Sequence, residues 1–306
     1  MLDLLIIGSS AAGSAAGIYA ARRRLNFKIV TVDTGGEVAL SGEIGNYPGL
    51  GMIDGVELSS KFQEHLKIYN VEPEIGIKII KVEKTKAGHF EVIGDKVGEE
   101  VKYETNTVLA TTGVHPRHLG ILGEDRYRGK GVTYCTTCDG PLFRNKIVAT
   151  IGGGNSALES ALMMNEIAEK VYLINKNSKF KGDTILIDKV EKSDKVEIIY
   201  ESMVEEILGE EFVKGLVYKD KDGNKQSLDV EGIFVHIGMV PNNKFLPDDV
   251  ERDKFGQIKV NKMCSTNVPG FYAAGDVTDV PYKQIIIASG QGACAVLSVI
   301  DYINKL

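Results

Sequence analysis

Apolar and polar positions follow the same order twice along the chain, and each series opens on a short apolar run that ends in glycines. Leu4-Leu5-Ile6-Ile7 shows no alternation, which predicts a strand buried on both faces of a parallel sheet. Gly8-Ser9-Ser10-Ala11-Ala12-Gly13 reads as a turn, Ala11 to Arg23 as a helix and Lys28 to Val32 as a second strand. Arg22, Arg23 and Arg24 fall at the helix C-terminus, where cations suit the dipole, and are read as solvated caps. A polar segment with Gly35, Gly36, Gly42 and Gly45 leads to Asn46-Tyr47-Pro48-Gly49, and Val56 to Tyr69 is patterned as an amphipathic helix. Alternating runs at Ile77 to Val82, Phe90 to Ile93 and Val101 to Tyr103 predict an antiparallel meander. Thr107 to Gly113 then predicts a buried strand.

The second series repeats the plan. Ile147 to Ile151 is a strand, Gly152-Gly153-Gly154-Asn155-Ser156-Ala157 a turn, Leu158 to Ala168 a helix and Val171 to Ile174 a strand. Short strands are expected near Glu197 to Ile199, Phe212 to Tyr218 and Lys225 to Val230, and Gly232 to Gly238 closes the unit. This is one nucleotide-binding plan used twice, not a solenoid repeat. Phe271 to Asp276 adds a strand, and Gln284 to Ile303 forms a largely apolar helix with no glycine fingerprint of its own. That block is expected to complete the first domain. The fold class is therefore α/β, with two Rossmann-like three-layer domains, the second inserted into the first. The boundaries are 1–113, 114–243 and 244–306, with linkers suited to hinging near Gly113 to Arg117 and Gly238 to Asn243.

Length and composition agree: 306 residues exceed the usual single domain, and 43% hydrophobic with 25% charged residues describe an ordinary globular chain. A net charge of -6 argues against a nucleic-acid or anionic-membrane surface. The apolar opening Leu4 to Ala21 lacks a basic leader, carries Asp3 and is broken by glycines, so it is not read as a secretory signal. No other stretch is expected to reach the length needed to span a bilayer.

Gly8 to Gly13 is a G-x-G-x-x-G with Ser10 in the second glycine position. The first glycine permits the turn, the second lets a pyrophosphate approach and the third lets helix pack on strand. The Ser10 hydroxyl offers a donor to a phosphate oxygen. Asp33 lies twenty residues past Gly13, suited to a ribose hydroxyl. An isolated motif of this kind also describes a turn with no ligand, but the strand–turn–helix–strand–acid order points to FAD. The Gly152 fingerprint predicts a second pyrophosphate site, at Gly152, Gly154, Asn155 and Ser156. Where an acid would select NAD, the chain has Asn175, followed by Lys176, Lys179 and Lys181, which are also ordinary surface lysines.

Between the fingerprints lies Cys135-Thr136-Thr137-Cys138-Asp139. A C-x-x-C pair cycles between thiol and disulfide, and a neighbouring helix N-terminus lowers a thiol pKa. Half a zinc knuckle is the alternative, but zinc needs four ligands, and Cys264 and Cys294 stand apart in sequence as ordinary core residues. His115 and His118 show no ligand spacing, so no metal is expected.

These residues, with Gly35-Gly36, Asn46 to Gly49, Ala110 to Gly113, Pro269 to Val277 and Tyr282-Lys283-Gln284, resemble the low-molecular-weight thioredoxin reductases over nearly the full length. The resemblance implies homodimers with FAD in the split domain and NADPH in the inserted one. It implies that Gly8, Ser10, Gly13, Asp33, Gly36, Glu37, Asn46, Gly113, Asp276, Lys283, Gln284 and Ile285 line FAD. It further implies that Cys138 faces the flavin, Cys135 attacks a partner disulfide and Asp139 serves as acid–base group; a first-turn helix acid is the alternative for Asp139. The family's glutamine is Glu37 here and its arginine is Lys283. Its arginine-rich NADPH set appears as Asn175-Lys176-Asn177 with Lys181, and some relatives that lost this set take electrons from ferredoxin.

The expected activity is reduction of a thioredoxin or glutaredoxin-like protein disulfide, with NADPH or NADH as donor, in the cytoplasm, with no nucleic-acid or membrane partner. Rivals are a ferredoxin-dependent flavin thioredoxin reductase, a flavin dithiol oxidase and a non-catalytic FAD-binding protein.

Overall fold

A computed structural model describes residues 1–41 and 43–305 and separates the chain into two compact units. The first holds Met1–Ser41, Tyr47–His115 and Val240–Leu306; the second holds Pro116–Met239, with the segment Gly42–Asn46 grouped with it. The second unit thus interrupts the first in sequence. Among the described residues the α-helices are α1 (Ala11–Arg22), α2 (Gly36–Ala39), α3 (Gly55–Ile68), α4 (Thr136–Asp139), α5 (Asn155–Ile167), α6 (Thr184–Glu191) and α7 (Ile285–Ile303).

In the first unit, strands Glu74–Ile75, Phe27–Thr31, Leu2–Ile7, Glu99–Ala110 and Phe271–Ala273 run parallel in that order. Strands Phe90–Lys96 and Lys78–Lys84 continue the sheet antiparallel. The sequence predicts separate strands at Val101 to Tyr103 and Thr107 to Gly113; the structure has one, Glu99–Ala110. Its N-terminal part pairs antiparallel with Phe90–Lys96 and alternates exposed with covered positions. Its last four residues lie buried between Leu2–Ile7 and Phe271–Ala273. The pattern changes because the neighbours change, not because the strand ends.

Leu5, Ile7, Val30, Phe90, Val108 and Phe271 share one core, in which the Phe90 and Phe271 rings meet edge-to-face at 6.0 Å. Fully burying each such side chain contributes roughly 1.5–3 kcal/mol. α7 corrects one expectation: with 19 residues and a mean hydropathy of 1.5 it is long and apolar enough to cross a membrane. It is instead packed on α1, with Gly292, Ala295, Val296 and Val299 buried. A Cβ on Gly292 would lie 2.1 Å from the Ala12 carbonyl oxygen, so glycine sets how closely the two helices approach.

The second unit stacks three layers. Its parallel sheet runs Val132–Thr133, Gly232–Val235, Ile147–Ile151, Lys170–Ile174 and Val196–Ile199. Successive strand residues point to opposite faces: Val148 and Phe234 join Leu158, Ala161 and Met164 of α5, whereas Ala149 and Ile233 join Leu216 and Ile207. The latter two belong to an antiparallel sheet of Met203–Gly209, Val213–Lys219 and Lys225–Asp229. Strand Met203–Gly209 and helix α6 are not among the elements that the sequence pattern predicts. The strand has two register shifts and interior glutamates, which break alternation. The α/β class and the Rossmann-like sheets are as expected.

Candidate active site

The first cradle forms where strand Leu2–Ile7 meets α1. Gly8 has φ +108°, and a Cβ there would lie 2.5 Å from the Thr111 carbonyl oxygen; on Gly13 it would lie 1.9 Å from the Gly8 carbonyl. Both glycines are required by the chain's own packing. The Ser10 hydroxyl, expected at a phosphate, donates instead to the Gly35 carbonyl at 2.8 Å and ties the two glycine loops together. Asp33 Oδ1 accepts from the Gly35 and Gly36 amides at 3.1 and 2.7 Å, so this acid shapes the loop. Gln63 of α3, which no sequence motif marks, donates to the Ser9 carbonyl at 2.9 Å. Only the fold brings it there.

Asp276 follows Gly275 (φ +77°), whose amide donates to Gln291 Oε1 of α7 at 2.8 Å. Asp276 Oδ1 is buried with no hydrogen-bond partner. Burial pushes its carboxyl up to about 6, with Lys283 pulling it down and Glu37 pushing it further up. Burial pushes the Lys283 ammonium down, Asp276 opposing, and its Nζ donates to the Thr278 carbonyl at 2.6 Å. Buried polar atoms are paired as a rule, so Asp276 awaits a donor from outside the chain. α1, α5 and α7 begin with no side-chain cap, whereas Asp54 caps α3. FAD fits these residues: hydroxyls for Asp276, and phosphates for the open N-terminus of α1. Gln284 and Ile285 open α7. Gly113 has φ +64° and a carbonyl that accepts from Asn242 at 3.0 Å. Asn46 groups with the second unit.

The second cradle has the same logic. A Cβ on Gly152 would lie 2.3 Å from the His236 carbonyl oxygen, and one on Gly153 2.5 Å from Asn175 Oδ1. A Cβ on Gly154 meets nothing within 4 Å, so no neighbour in the chain demands glycine there, while a pyrophosphate at α5 would. Asn155 is engaged by Asp183: its Nδ2 donates to Asp183 Oδ2 at 2.9 Å and its Oδ1 accepts the Asp183 amide at 2.8 Å. Asn175 is buried, accepting from the Asn177 amide at 3.0 Å and donating to the Lys179 carbonyl at 3.1 Å. Where an acid would meet a ribose, this side chain is spent on its own loop. Lys176 and Lys181 are exposed, and the Lys181 amide donates to the Gly153 carbonyl at 2.7 Å.

Cys135 and Cys138 are joined as a disulfide. Cys135 stands at the N-cap of α4, and its Sγ accepts from the Cys138 amide at 3.2 Å. Asp139 is half-buried; burial pushes its carboxyl up, and a hydrogen bond from the Thr133 hydroxyl opposes. Thr136, between the cysteines, is buried and bonds Ser160 Oγ of α5 at 2.6 Å and His236 Nε2 at 2.8 Å. Burial pushes the His236 imidazole down to about 4, so it is neutral at pH 7. This network ties α4 to the Gly152 cradle, and nothing in the spacing of its residues announces it. His115 Nδ1 meets Asn242 Oδ1 at 2.8 Å and His118 stacks on Tyr134. No metal-binding cluster occurs among the described residues.

Two Rossmann-like sheets, two glycine cradles and a C-x-x-C disulfide define a dinucleotide-dependent disulfide oxidoreductase. Residues 2–292 match the pyridine nucleotide-disulphide oxidoreductase family, and the chain belongs to it. The family implies FAD and a pyridine nucleotide. An alkyl hydroperoxide reductase component of Staphylococcus epidermidis is 40% identical over 304 residues, 99% of this chain but 59% of that protein. The chain therefore spans under two thirds of the length of the curated relatives it matches. The crystal structure of thioredoxin reductase from Streptococcus pyogenes superposes with a TM-score of 0.92 at 34% identity, covering 100% of this chain and 99% of that one. The thioredoxin reductase from Giardia duodenalis gives 0.91 at 28% identity, with 99% of each chain covered. The expected resemblance to low-molecular-weight thioredoxin reductases is borne out.

Proposed function

We propose that the chain reduces a protein disulfide of the thioredoxin or glutaredoxin type, using a reduced nicotinamide, FAD and the Cys135–Cys138 pair. The observation that carries this reading is the disulfide at the N-cap of α4, in the unit that also holds the Gly152 cradle. In this reading residues 1–113 and 244–306 hold FAD and residues 114–243 the nicotinamide. FAD held there would supply two-electron transfer between the nicotinamide and the disulfide. Once reduced, Cys135 as a thiolate attacks the partner disulfide, one partner sulfur leaves, and Cys138 attacks Cys135 Sγ to release the second. The partner gains two electrons and two protons, and Cys135–Cys138 is a disulfide again. In this reading Asp139 holds a proton for the leaving thiolate, which its carboxyl, raised by burial, supports. The reading carries a homodimer and a reducing, cytoplasmic setting with it. A second reading, that the output serves hydroperoxide reduction, is favoured by the 40% identity to the alkyl hydroperoxide reductase component.

The test is anaerobic flavin bleaching by NADPH, NADH and reduced ferredoxin, followed by turnover with thioredoxin, a glutaredoxin and a peroxiredoxin. Cys135→Ser and Cys138→Ser should each keep flavin reduction and lose disulfide reduction by at least about a thousandfold. With exposed lysines and no arginine fork, NADPH should be preferred over NADH by only about tenfold, one charge-assisted hydrogen bond. Wild-type turnover in either cysteine variant overturns the proposal. Bleaching by ferredoxin alone moves the donor away from the Gly152 cradle.

A further inference from the structure

The two remaining cysteines, far apart in sequence, are neighbours in the fold. Cys264 lies in the turn Asn261–Ser265 and Cys294 in α7. Each thiol reaches the other's element: Cys264 Sγ donates to the Gln291 carbonyl and Cys294 Sγ to the Lys262 carbonyl, both at 3.6 Å. Each thiol is thus turned toward the element that carries the other, which sets the two side chains next to one another. Cys264 has φ +58°, a left-handed backbone that a residue with a Cβ rarely adopts. The turn is held there by Asn261, whose Oδ1 accepts from the Met263 and Ser265 amides at 2.8 and 3.1 Å and whose carbonyl accepts the Cys264 amide at 3.0 Å. Glycine or asparagine would sit in this place with less strain, so the turn holds a thiol against its backbone preference. The Cys264 carbonyl accepts from the Ala273 amide at 3.1 Å, which anchors the turn to strand Phe271–Ala273. Cys264 is buried and Cys294 is half-exposed, so one thiol is open to a reagent and the other lies behind it.

We propose that Cys264 and Cys294 are a second redox pair, which closes to a disulfide by exchange with a small-molecule disulfide and cross-links the Asn261–Ser265 turn to α7. Cys294, as the more exposed, loses its proton and attacks one sulfur of the small disulfide, whose S–S bond breaks; the released thiolate takes up a proton. Cys264 then loses its proton to solvent and attacks Cys294 Sγ, expelling the second small thiolate, which is protonated in turn. Two cysteine thiols are oxidised and one small disulfide is reduced to two thiols. Burial, and behind it the neighbouring Cys294, pushes the Cys264 thiol up to about 12, which keeps the reduced pair quiet. Once Cys294 carries the mixed disulfide it no longer ionises, and that part of the restraint on Cys264 is lifted. The cross-link falls on the turn of α7 that holds Gln291, whose side chain binds the Gly275 amide next to Asp276. Redox state would thus be felt at the first cradle.

This inference does not depend on the proposed substrate. The full-length holoenzyme, its Cys135–Cys138 pair oxidised, is incubated with glutathione disulfide, acid-quenched, alkylated and mapped by mass spectrometry. A peptide pair joined through Cys264 and Cys294 within one chain is expected, with both thiols lost to alkylation. The oxidised protein should also unfold at a higher temperature, a shift absent in Cys294→Ser. Two cysteines that stay alkylatable, a lasting glutathione adduct on Cys294 with Cys264 free, or a link between two chains would each overturn the pair.

Discussion

Asp276 carries a cost that the fold alone does not offset. Its carboxyl, raised to about 6 by burial, binds a proton in the folded state at a pH where the unfolded chain, near the ordinary value of 3.8, has released it. Stability of the flavin-free protein should therefore be greatest below about pH 4 as far as this group is concerned, and fall as pH rises through about 6. Asp276→Asn removes that dependence. At pH 7 the flavin-free variant should be more stable than wild type by about 1–3 kcal/mol, while FAD binds at least about tenfold more weakly. Urea unfolding at pH 4.5 and 7, with a flavin titration, measures both; equal stability at pH 7 would show that the orphaned oxygen costs nothing. Ser10, Asn155 and Asn175 teach the complementary lesson. Motif position assigns them to ligands, but their hydrogen bonds go to Gly35, Asp183 and Lys179. A motif states which residue type stands at a turn, and the partner for its side chain arrives from another loop.

At the scale of elements, α4 has four residues, too short to be stable alone. Thr136 fixes it by its bonds to Ser160 of α5 and to His236 after the strand Gly232–Val235. Thr136→Val keeps the volume but strands two buried polar groups, and should destabilise the protein by about 1–3 kcal/mol in urea unfolding. An unchanged midpoint would mean that the network relaxes onto other partners. His236 adds a pH signature. Its imidazole falls to about 4 in the fold against 6.5 ordinarily, so its contribution is intact above about 6.5 and is lost as pH falls towards 4. In His236→Gln this loss, on the order of 3 kcal/mol, should vanish from the pH profile of unfolding. The fingerprint strands and helices were legible because fully buried parallel strands and small-residue helices have unmistakable patterns. Strand Met203–Gly209 and α6 were not, since edge elements with mixed exposure follow neither period.

Across the whole molecule, the core around Phe90 and Phe271 belongs to the first unit, and the two cores on either side of strand Ile147–Ile151 to the second. Separate cores make separate unfolding units. Calorimetry should resolve two transitions, with FAD at a hundredfold excess over its Kd raising only one and NADPH only the other, by roughly 5–10 °C each. A single transition that moves with either ligand would refute the assignment. The sequence by itself determined the α/β class, the two glycine cradles, the interrupted first unit and the redox pair, because each rests on local pattern: apolar runs, glycine spacing and a C-x-x-C. Tertiary structure alone decided which side chains are spent inside the protein and which are left for ligands. It alone turned α7 from a helix apolar enough for a membrane into a core helix on α1. It also brought Thr136 to His236 and Cys264 to Cys294, contacts between residues thirty or more positions apart. Such contacts are set by how sheets and helices pack, and no window of sequence holds both partners.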